Sequence, residues 1–207
     1  MWRSWRFRVI RNGNPAGFIA SATAAKPPVF IVACFGSGSI NCSTEGNSCW
    51  DGGKAGMSDT LASALWCAAM MLRFAQMGWC GVNLHGGGNG FYTPIAGAPS
   101  TGFTRRPEYF GSQFGQSLAG AMFMGATLTG AGPQVTAYAL EQAGRRRIAI
   151  INKGKEAVSV ALPMRVEEKA MRLSGPSLDS KEGTTFGEVR LARARSVEVE
   201  ERGSTLC

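Results

Sequence analysis

The stretch NCSTEGNSCWDGGKAGMSD, residues 41–59, joins a short extended segment to the start of a helix. Together with the two residues before it, its first part reads as the strand SINCSTE, which ends at Glu45. The segment DGGKAGM predicts a loop, and Ser58 is a suitable N-cap for a helix over residues 59–78. The stretch therefore places a lone carboxylate where a strand ends.

Further elements flank this unit. PVFIVACF, residues 28–35, predicts a strand before it, and WCGVNLH, residues 79–85, predicts a strand after the helix. The latter strand ends at His85 and leads into the glycine-rich loop GGGNGFYTPIAGAPSTG, and a second helix is predicted over residues 106–120. The order strand, helix, strand, helix is typical of a parallel α/β unit, in which the loops after the strands carry the chemistry.

The pattern changes near residue 120. From there the sequence predicts short alternating strands separated by turn-forming segments. These strands are AMFMGATLTG, QVTAYALE, RRIAIINK, AVSVALP, EKAMRLSG and GEVRLARA. We therefore expect an α/β plus all-β chain, with residues 1–27 unassigned, residues 28–120 part of a βα structure and residues 121–207 an antiparallel sheet or sandwich.

Composition restricts the function without fixing it. The net charge of +8 favours anionic partners but does not choose between nucleic acid, anionic lipid and acidic sugars. Six cysteines without a CxxC pair are typical of neither a disulfide scaffold nor a zinc site, and the single histidine, His85, excludes any site that needs two. We expect no metal or other cofactor. NGNP interrupts the basic N-terminal segment, which makes it a poor match to a signal peptide, and no transmembrane segment is expected.

Several competing motifs fail on detail. HGGG, residues 85–88, matches the oxyanion-hole motif of α/β-hydrolase esterases, but the chain has no GxSxG elbow and no second histidine for a triad. GSGSIN suggests a dinucleotide fingerprint, yet Asn41 stands where the third glycine belongs. A site built on a Cys/His pair, formed by Cys49 and His85, is kept as an alternative. Arginine runs such as residues 145–147 are interpreted as solvated strand faces and not as a nucleic-acid surface.

The position of Glu45 alone supports two interpretations. A carboxylate at the carboxyl end of a parallel strand lies at the mouth of a βα barrel, where it can act as a nucleophile or acid/base. Alternatively, Glu45 caps a helix or pairs with Lys54. The glycine-rich loop after His85 favours a ligand-binding site over a structural role, because three consecutive glycines let a ligand approach the backbone closely. The polar residues on this glycine scaffold are Asn83, His85, Asn89 and Tyr92.

The segments TEGNSCWDGGKAGMSDTLASALW and GWCGVNLHGGGNGFYTPI resemble glycoside hydrolase family 79, the β-glucuronidases and heparanases. RPEYFGSQF, VTAYAL, IAIINK and LSGPSLDSKEGTTFG extend the resemblance more loosely, over residues 43–190. It implies a (β/α)8 barrel followed by a β-sandwich, and hydrolysis of β-glucuronides with retention. Residues 28–120 would then form the last two βα units of the barrel, and residues 121–207 the sandwich.

The resemblance also implies residue roles. Glu45 matches the catalytic nucleophile after the seventh barrel strand, and His85 and Tyr92 match residues that line the sugar subsite. Trp50 is counted with the substrate-binding residues, although it stands where the family usually has Tyr. A loop that places backbone amides near the glucuronate carboxylate corresponds to Gly86, Gly87 and Gly88.

A retaining glycosidase needs a second carboxylate, about 5 Å from the nucleophile, as acid/base. In family 79 this glutamate follows the fourth strand, but residues 1–44 contain no Asp or Glu. We therefore expect a fragment that is inactive alone, lacks part of its own barrel and binds a carbohydrate containing glucuronic acid rather than nucleic acid. The sequence does not determine the location, and an extracellular or periplasmic one is slightly favoured. It also implies a final sandwich strand, which we expect to be absent because the chain stops at GSTLC.

The alternative is a non-catalytic carbohydrate-binding or structural β-domain module. In that case the β-domain packs against a partner, and the arginine runs contact an acidic polysaccharide.

Overall fold

The computed structural model describes residues 18–22, 29–35, 42–79, 81–86, 90–162, 169–191, 196–199 and 204–206. The elements up to residue 116 are β1 (Phe18–Ala22), β2 (Val29–Phe35), β3 (Cys42–Gly46), α1 (Leu61–Gln76), β4 (Gly81–Gly86), β5 (Ile95–Ala98), β6 (Gly102–Arg105) and α2 (Pro107–Gln116). The three strands and two helices predicted here are confirmed, with shifts at their ends. The hairpin of β5 and β6 was not predicted.

The first sheet has four strands in the order β1-β2-β4-β3. β3 and β4 are parallel and α1 connects them, which confirms the predicted parallel βα unit. β2, however, runs antiparallel to β4, and β1 antiparallel to β2, so the predicted parallel pattern is wrong for β2. Only residues 36–41 separate β2 from β3, and strands with the same direction in one sheet need a crossover of a dozen or more residues.

Helix α1 begins at Leu61, after the N-cap residue Thr60, so the prediction that Ser58 caps it is wrong. The hydroxyl of Ser58 instead accepts a hydrogen bond from the backbone N–H of Lys54, within the loop. The N–H groups of Leu61 and Ala62 donate to carbonyls of a distant loop, at Ser180 and Leu178. Tertiary contacts therefore replace a side-chain cap.

The two helices pack closely against each other at a glycine. A Cβ atom added at Gly111 of α2 would lie 2.2 Å from the backbone oxygen of Ala64 in α1, so only glycine fits at this contact. Gly115, one turn later, lies against the flexible side chain of Met71. Among the described residues, no helix is both long and apolar enough to cross a membrane.

The rest of the described chain is made of strands. They are β7 (Met122–Met124), β8 (Val135–Gln142), β9 (Arg145–Asn152), β10 (Val158–Ala161), β11 (Lys169–Ser174), β12 (Thr185–Arg190), β13 (Ser196–Val199) and β14 (Ser204–Leu206). Six form an antiparallel sheet in the order β12-β11-β14-β9-β8-β7, which confirms the predicted antiparallel sheet. β14 lies within GSTLC, where the sequence did not predict a strand. The sequence of β14 lacks a clear strand pattern. It still forms a strand because β11 and β9, on either side, pair with its backbone hydrogen-bonding groups.

Both faces of this sheet are covered. Side chains alternate along a strand, so Tyr138 and Leu140 of β8 join the core formed with α1 and α2. Val135 and Ala137 point to the opposite face, where they pack with Val160 of β10. β10 pairs only with β13 among the described strands, as a two-stranded sheet. The structure thus shows an antiparallel sheet with a small second layer, and a full sandwich and the division near residue 120 stay predictions.

Candidate active site

Glu45 is the penultimate residue of β3, and the strand pairing is irregular at this point. Ser43 pairs with Val82 and Gly46 with Leu84, so β3 has one more residue than β4 between these pairs. Such a bulge redirects the neighbouring side chain and is common beside active sites. The side chain of Glu45 itself lies outside the described part of the structure. The backbone is therefore irregular at the residue predicted to be the nucleophile.

The ends of β3 and β4 lie beside each other. Because the two strands are parallel, their carboxyl ends share one edge of the sheet, and His85 is near the end of β4. Asn47, the residue after β3, donates a side-chain hydrogen bond of 3.2 Å from Nδ2 to the backbone oxygen of His85. This contact joins the predicted nucleophile strand to the strand of the predicted sugar-binding histidine.

The side chains of His85 and Tyr92 are also neighbours. Their ring centroids are 5.9 Å apart and the ring planes are tilted by 54°. His85 is half-buried and Tyr92 is almost buried. The structure therefore brings these two predicted site residues together at the carboxyl end of β4.

The loop after β3 packs against the loop that carries Tyr92, and its glycines allow this close contact. Gly52 and Gly53 both have positive φ, and the N–H of Phe91 donates to the backbone oxygen of Gly52 at 2.5 Å. A Cβ added at Gly53 would lie 2.8 Å from the backbone nitrogen of Tyr92. The sequence shows DGG only as a loop, because this close approach involves residues far apart in the chain.

Trp50 precedes these glycines and is 84% exposed. It lies on the same loop, with its indole free of protein packing, and its role in sugar binding stays a prediction. Cys49 is half-buried beside it with a free thiol. Gly86 ends β4, whereas Gly87, Gly88 and Asn89 lie outside the described residues.

Glu108 is a buried carboxyl group that the sequence did not single out. It lies in the first turn of α2, fully buried against α1, and accepts a 2.9 Å hydrogen bond from the hydroxyl of Ser63. Burial raises its pKa to about 8, and the hydrogen bond from Ser63 opposes this rise. Raised carboxyl pKa values are typical of catalytic acids, but this group is enclosed between two helices. We therefore assign it a structural role.

The predicted arginine run and the possibility of a metal site can both be compared with the structure. Arg145 and Arg146 are exposed at the start of β9, whereas Arg147 is half-buried, so the arginine run is a solvated strand end with its last member packed. In the described part of the chain, no three His, Cys, Asp or Glu side chains are grouped closely enough to hold a metal ion.

Three solved structures with similar folds are glycoside hydrolases. An α-L-arabinofuranosidase from Thermotoga maritima matches with a TM-score of 0.61 and 13% identity, over 81% of this chain and 42% of that chain. A thermostable GH51 α-L-arabinofuranosidase from Thermotoga petrophila matches with a TM-score of 0.54 and 14% identity, over 81% and 42%. A family 86 β-porphyranase from Bacteroides plebeius gives 0.52 and 12%, over 80% and 33%. The sequence matches no protein-family model and no curated protein.

At these identities the likeness concerns the fold alone. The chain spans less than half the length of each of these three enzymes. Its fold is shared with glycoside hydrolases of different families and is consistent with part of a barrel joined to an antiparallel sheet.

Proposed function

We propose that this chain is the C-terminal part of a retaining glycoside hydrolase that cleaves β-glucuronides, with Glu45 as the nucleophile. One observation carries this proposal: Glu45 lies in a bulge at the carboxyl end of β3, and β3 is parallel to and beside β4, which ends at His85 and Gly86. Barrel glycosidases place their catalytic groups at this position. The fold shared with glycoside hydrolases supports the same class of reaction.

The neighbouring residues suit a sugar ligand. His85 and Tyr92 lie against each other near the end of β4, and the exposed indole of Trp50 lies on the loop after β3. The family resemblance gives the backbone amides of Gly86, Gly87 and Gly88 the role of binding the glucuronate carboxylate. A chain with a net charge of +8 is electrostatically suited to an anionic sugar.

Retention requires two displacements. The carboxylate of Glu45 attacks the anomeric carbon while an acid donates a proton to the departing glycosidic oxygen, and a glycosyl-enzyme ester forms. The same acid, now a carboxylate, then takes a proton from water as the water attacks the anomeric carbon and releases Glu45. The second carboxyl group must lie about 5–5.5 Å from the first.

The family resemblance places this acid/base at a glutamate that precedes the nucleophile by about a hundred residues. Residues 1–44 contain no Asp or Glu. Asp59 is ion-paired with Lys181 at 2.9 Å, and Glu108 is enclosed between α1 and α2, so neither carboxyl group is placed to protonate a leaving group. The chain alone is therefore proposed to be inactive.

This function predicts a clear difference between two proteins. The 207-residue chain should not hydrolyse an aryl β-glucuronide, because it lacks the acid/base, whereas a parent protein with the complete barrel should do so. Replacing Glu45 with Gln in the parent should remove nearly all turnover, since the amide cannot form the ester intermediate. Product NMR should show the β-anomer first.

The matched control is Glu156→Gln, which changes an exposed carboxylate in a loop and should leave the rate unchanged. A parent that keeps its rate after Glu45→Gln would contradict the assignment. That result would favour the non-catalytic module instead.

A further inference from the structure

A cleft of about 410 Å³ lies between helix α1 and the six-stranded sheet. It is lined by side chains of α1 and β8, by the residue after β9 and by the loop before β12, and it shares no residue with the candidate active site. This volume is typical of sites for small molecules. An α-helix is about 10 Å across with its side chains, so the cleft is too small to hold one.

One wall of the cleft is an apolar face of α1. Trp66, Ala69 and Met70 line the cleft and follow the i, i+3, i+4 spacing of a single helix face. All three are half-buried. A different face of α1, with Ala64 and Met71, packs against α2. The indole of Trp66 and the thioether of Met70 therefore offer an apolar surface that suits an aromatic ring.

The charged side chains of the cleft are all positive. Arg73, in the last turn of α1, and Lys153, directly after β9, both line it, and no described Asp or Glu does. Neither cation forms an ion pair with a carboxylate in the described part of the chain. Arg73 donates a 2.8 Å hydrogen bond to Oε1 of Gln76, which uses only one of its five N–H groups. The charge of the cleft therefore complements an anionic ligand.

A phenol lies near the guanidinium of Arg73. Tyr138 of β8 lines the cleft and is 7% exposed. Burial raises the pKa of Tyr138, and the positive charge of Arg73 opposes this rise, so the two side chains are close enough to interact. At neutral pH the phenol keeps its proton and can donate it in a hydrogen bond. A guanidinium and a phenol O–H at one place form a suitable site for a carboxylate.

We propose that this cleft binds a small aromatic carboxylate. The carboxylate accepts hydrogen bonds from Arg73 and Tyr138, and Lys153 adds a further attraction. The aromatic ring of the ligand lies against Trp66 and Met70. This site is independent of the proposed hydrolysis of glycosides, because none of its residues belongs to the candidate active site.

The test is a calorimetric titration of the full 207-residue chain with 2-naphthoate. The matched ligand is 2-naphthamide, which has nearly the same shape and no charge. Naphthoate should bind about tenfold more tightly than the amide, because only the anion forms a charge-assisted hydrogen bond with Arg73. Arg73→Ala should remove this difference, and it changes an exposed side chain outside the core. Ala69→Phe should weaken both ligands, because the added ring fills the cleft.

Two control variants separate this cleft from other sites. Arg145→Ala removes an exposed arginine on β9 and should leave binding unchanged. Glu45→Gln should also leave binding unchanged, and loss of binding in that variant would place the ligand in the active site and overturn the proposal. Equal affinity for the two ligands, or an unchanged preference for naphthoate after Arg73→Ala in a variant with wild-type circular dichroism, would overturn it as well.

A second copy of the chain is the other occupant to test. Light scattering should find the same oligomeric state for the wild-type chain and for Ala69→Phe. A dimer that Ala69→Phe dissociates would show that a second copy covers the cleft, and the proposed carboxylate site would then be wrong.

Discussion

At the scale of single residues, the sequence suggests candidate site residues but does not reveal which polar side chains are buried. Glu45, His85 and Tyr92 could be selected because they follow predicted strands, and the structure brings His85 and Tyr92 together. Glu108 could not be selected, because an acidic residue in the first turn of a helix is ordinarily a solvated partner of the helix dipole. Its burial depends on α1, which covers it from a distant part of the chain.

Glu108 makes the stability of the fold depend on pH. Its pKa in the folded chain is about 8, against 4.5 for an unperturbed glutamate, so the protonated form stabilises the fold. This contribution is fully present below pH 4.5 and is lost as the pH rises through 8. Each pKa unit corresponds to about 1.4 kcal/mol, so the loss amounts to several kcal/mol.

The substitution Glu108→Gln should therefore remove most of the fall in stability between these pH values, because the amide accepts the hydrogen bond from Ser63 without ionising. Urea unfolding at about pH 5 and about pH 8 measures the difference in the free energy of unfolding between these pH values. The control Glu156→Gln should keep the wild-type pH dependence. An unchanged pH dependence in Glu108→Gln would show that the carboxyl group is not buried as described.

At the scale of elements, periodicity predicts helices and strands but not what ends them. α1 could be predicted from its apolar spacing, yet its first residue is set by the carbonyls of Leu178 and Ser180, which no local signal near Ser58 reveals. The hairpin of β5 and β6 was missed because glycine and proline punctuate it, and every residue of β6 is exposed. Strand β14 is defined by its neighbours in the sheet and not by its own pattern.

The contact between α1 and α2 gives a prediction at this scale. Gly111→Ala should destabilise the chain by about 2 kcal/mol, because its Cβ would meet the backbone of Ala64 and the helices would have to separate. Gly115→Ala should cost much less, since the added atom meets only the side chain of Met71, which can move. Both changes raise helix propensity by about 1 kcal/mol, so the comparison isolates the contact. Thermal unfolding measures it, and equal stabilities of the two variants would contradict the packing described.

At the scale of the whole molecule, the described chain leaves its proposed nucleophile strand at the edge of a sheet. β3 pairs with β4 and with no other described strand. In a closed barrel every strand is paired on both sides, so the proposed complete barrel requires a further strand beside β3. The chain spans 42% of the length of two glycosidases with a similar fold. The partial barrel comes from the family resemblance and stays a prediction, whereas the antiparallel pairing of β1 and β2 could not be predicted from the sequence.

The most direct test of the proposed nucleophile uses a parent protein with the complete barrel and a 2-deoxy-2-fluoro-β-glucuronyl fluoride. This reagent needs no acid to expel fluoride, and its fluorine at C2 slows hydrolysis of the ester, so the nucleophile stays labelled. Mass spectrometry of the digested protein should find the fluoroglucuronyl group on the peptide that contains Glu45, and Glu45→Gln should prevent labelling. A label on any other carboxylate, or labelling that persists in Glu45→Gln, would contradict the central claim.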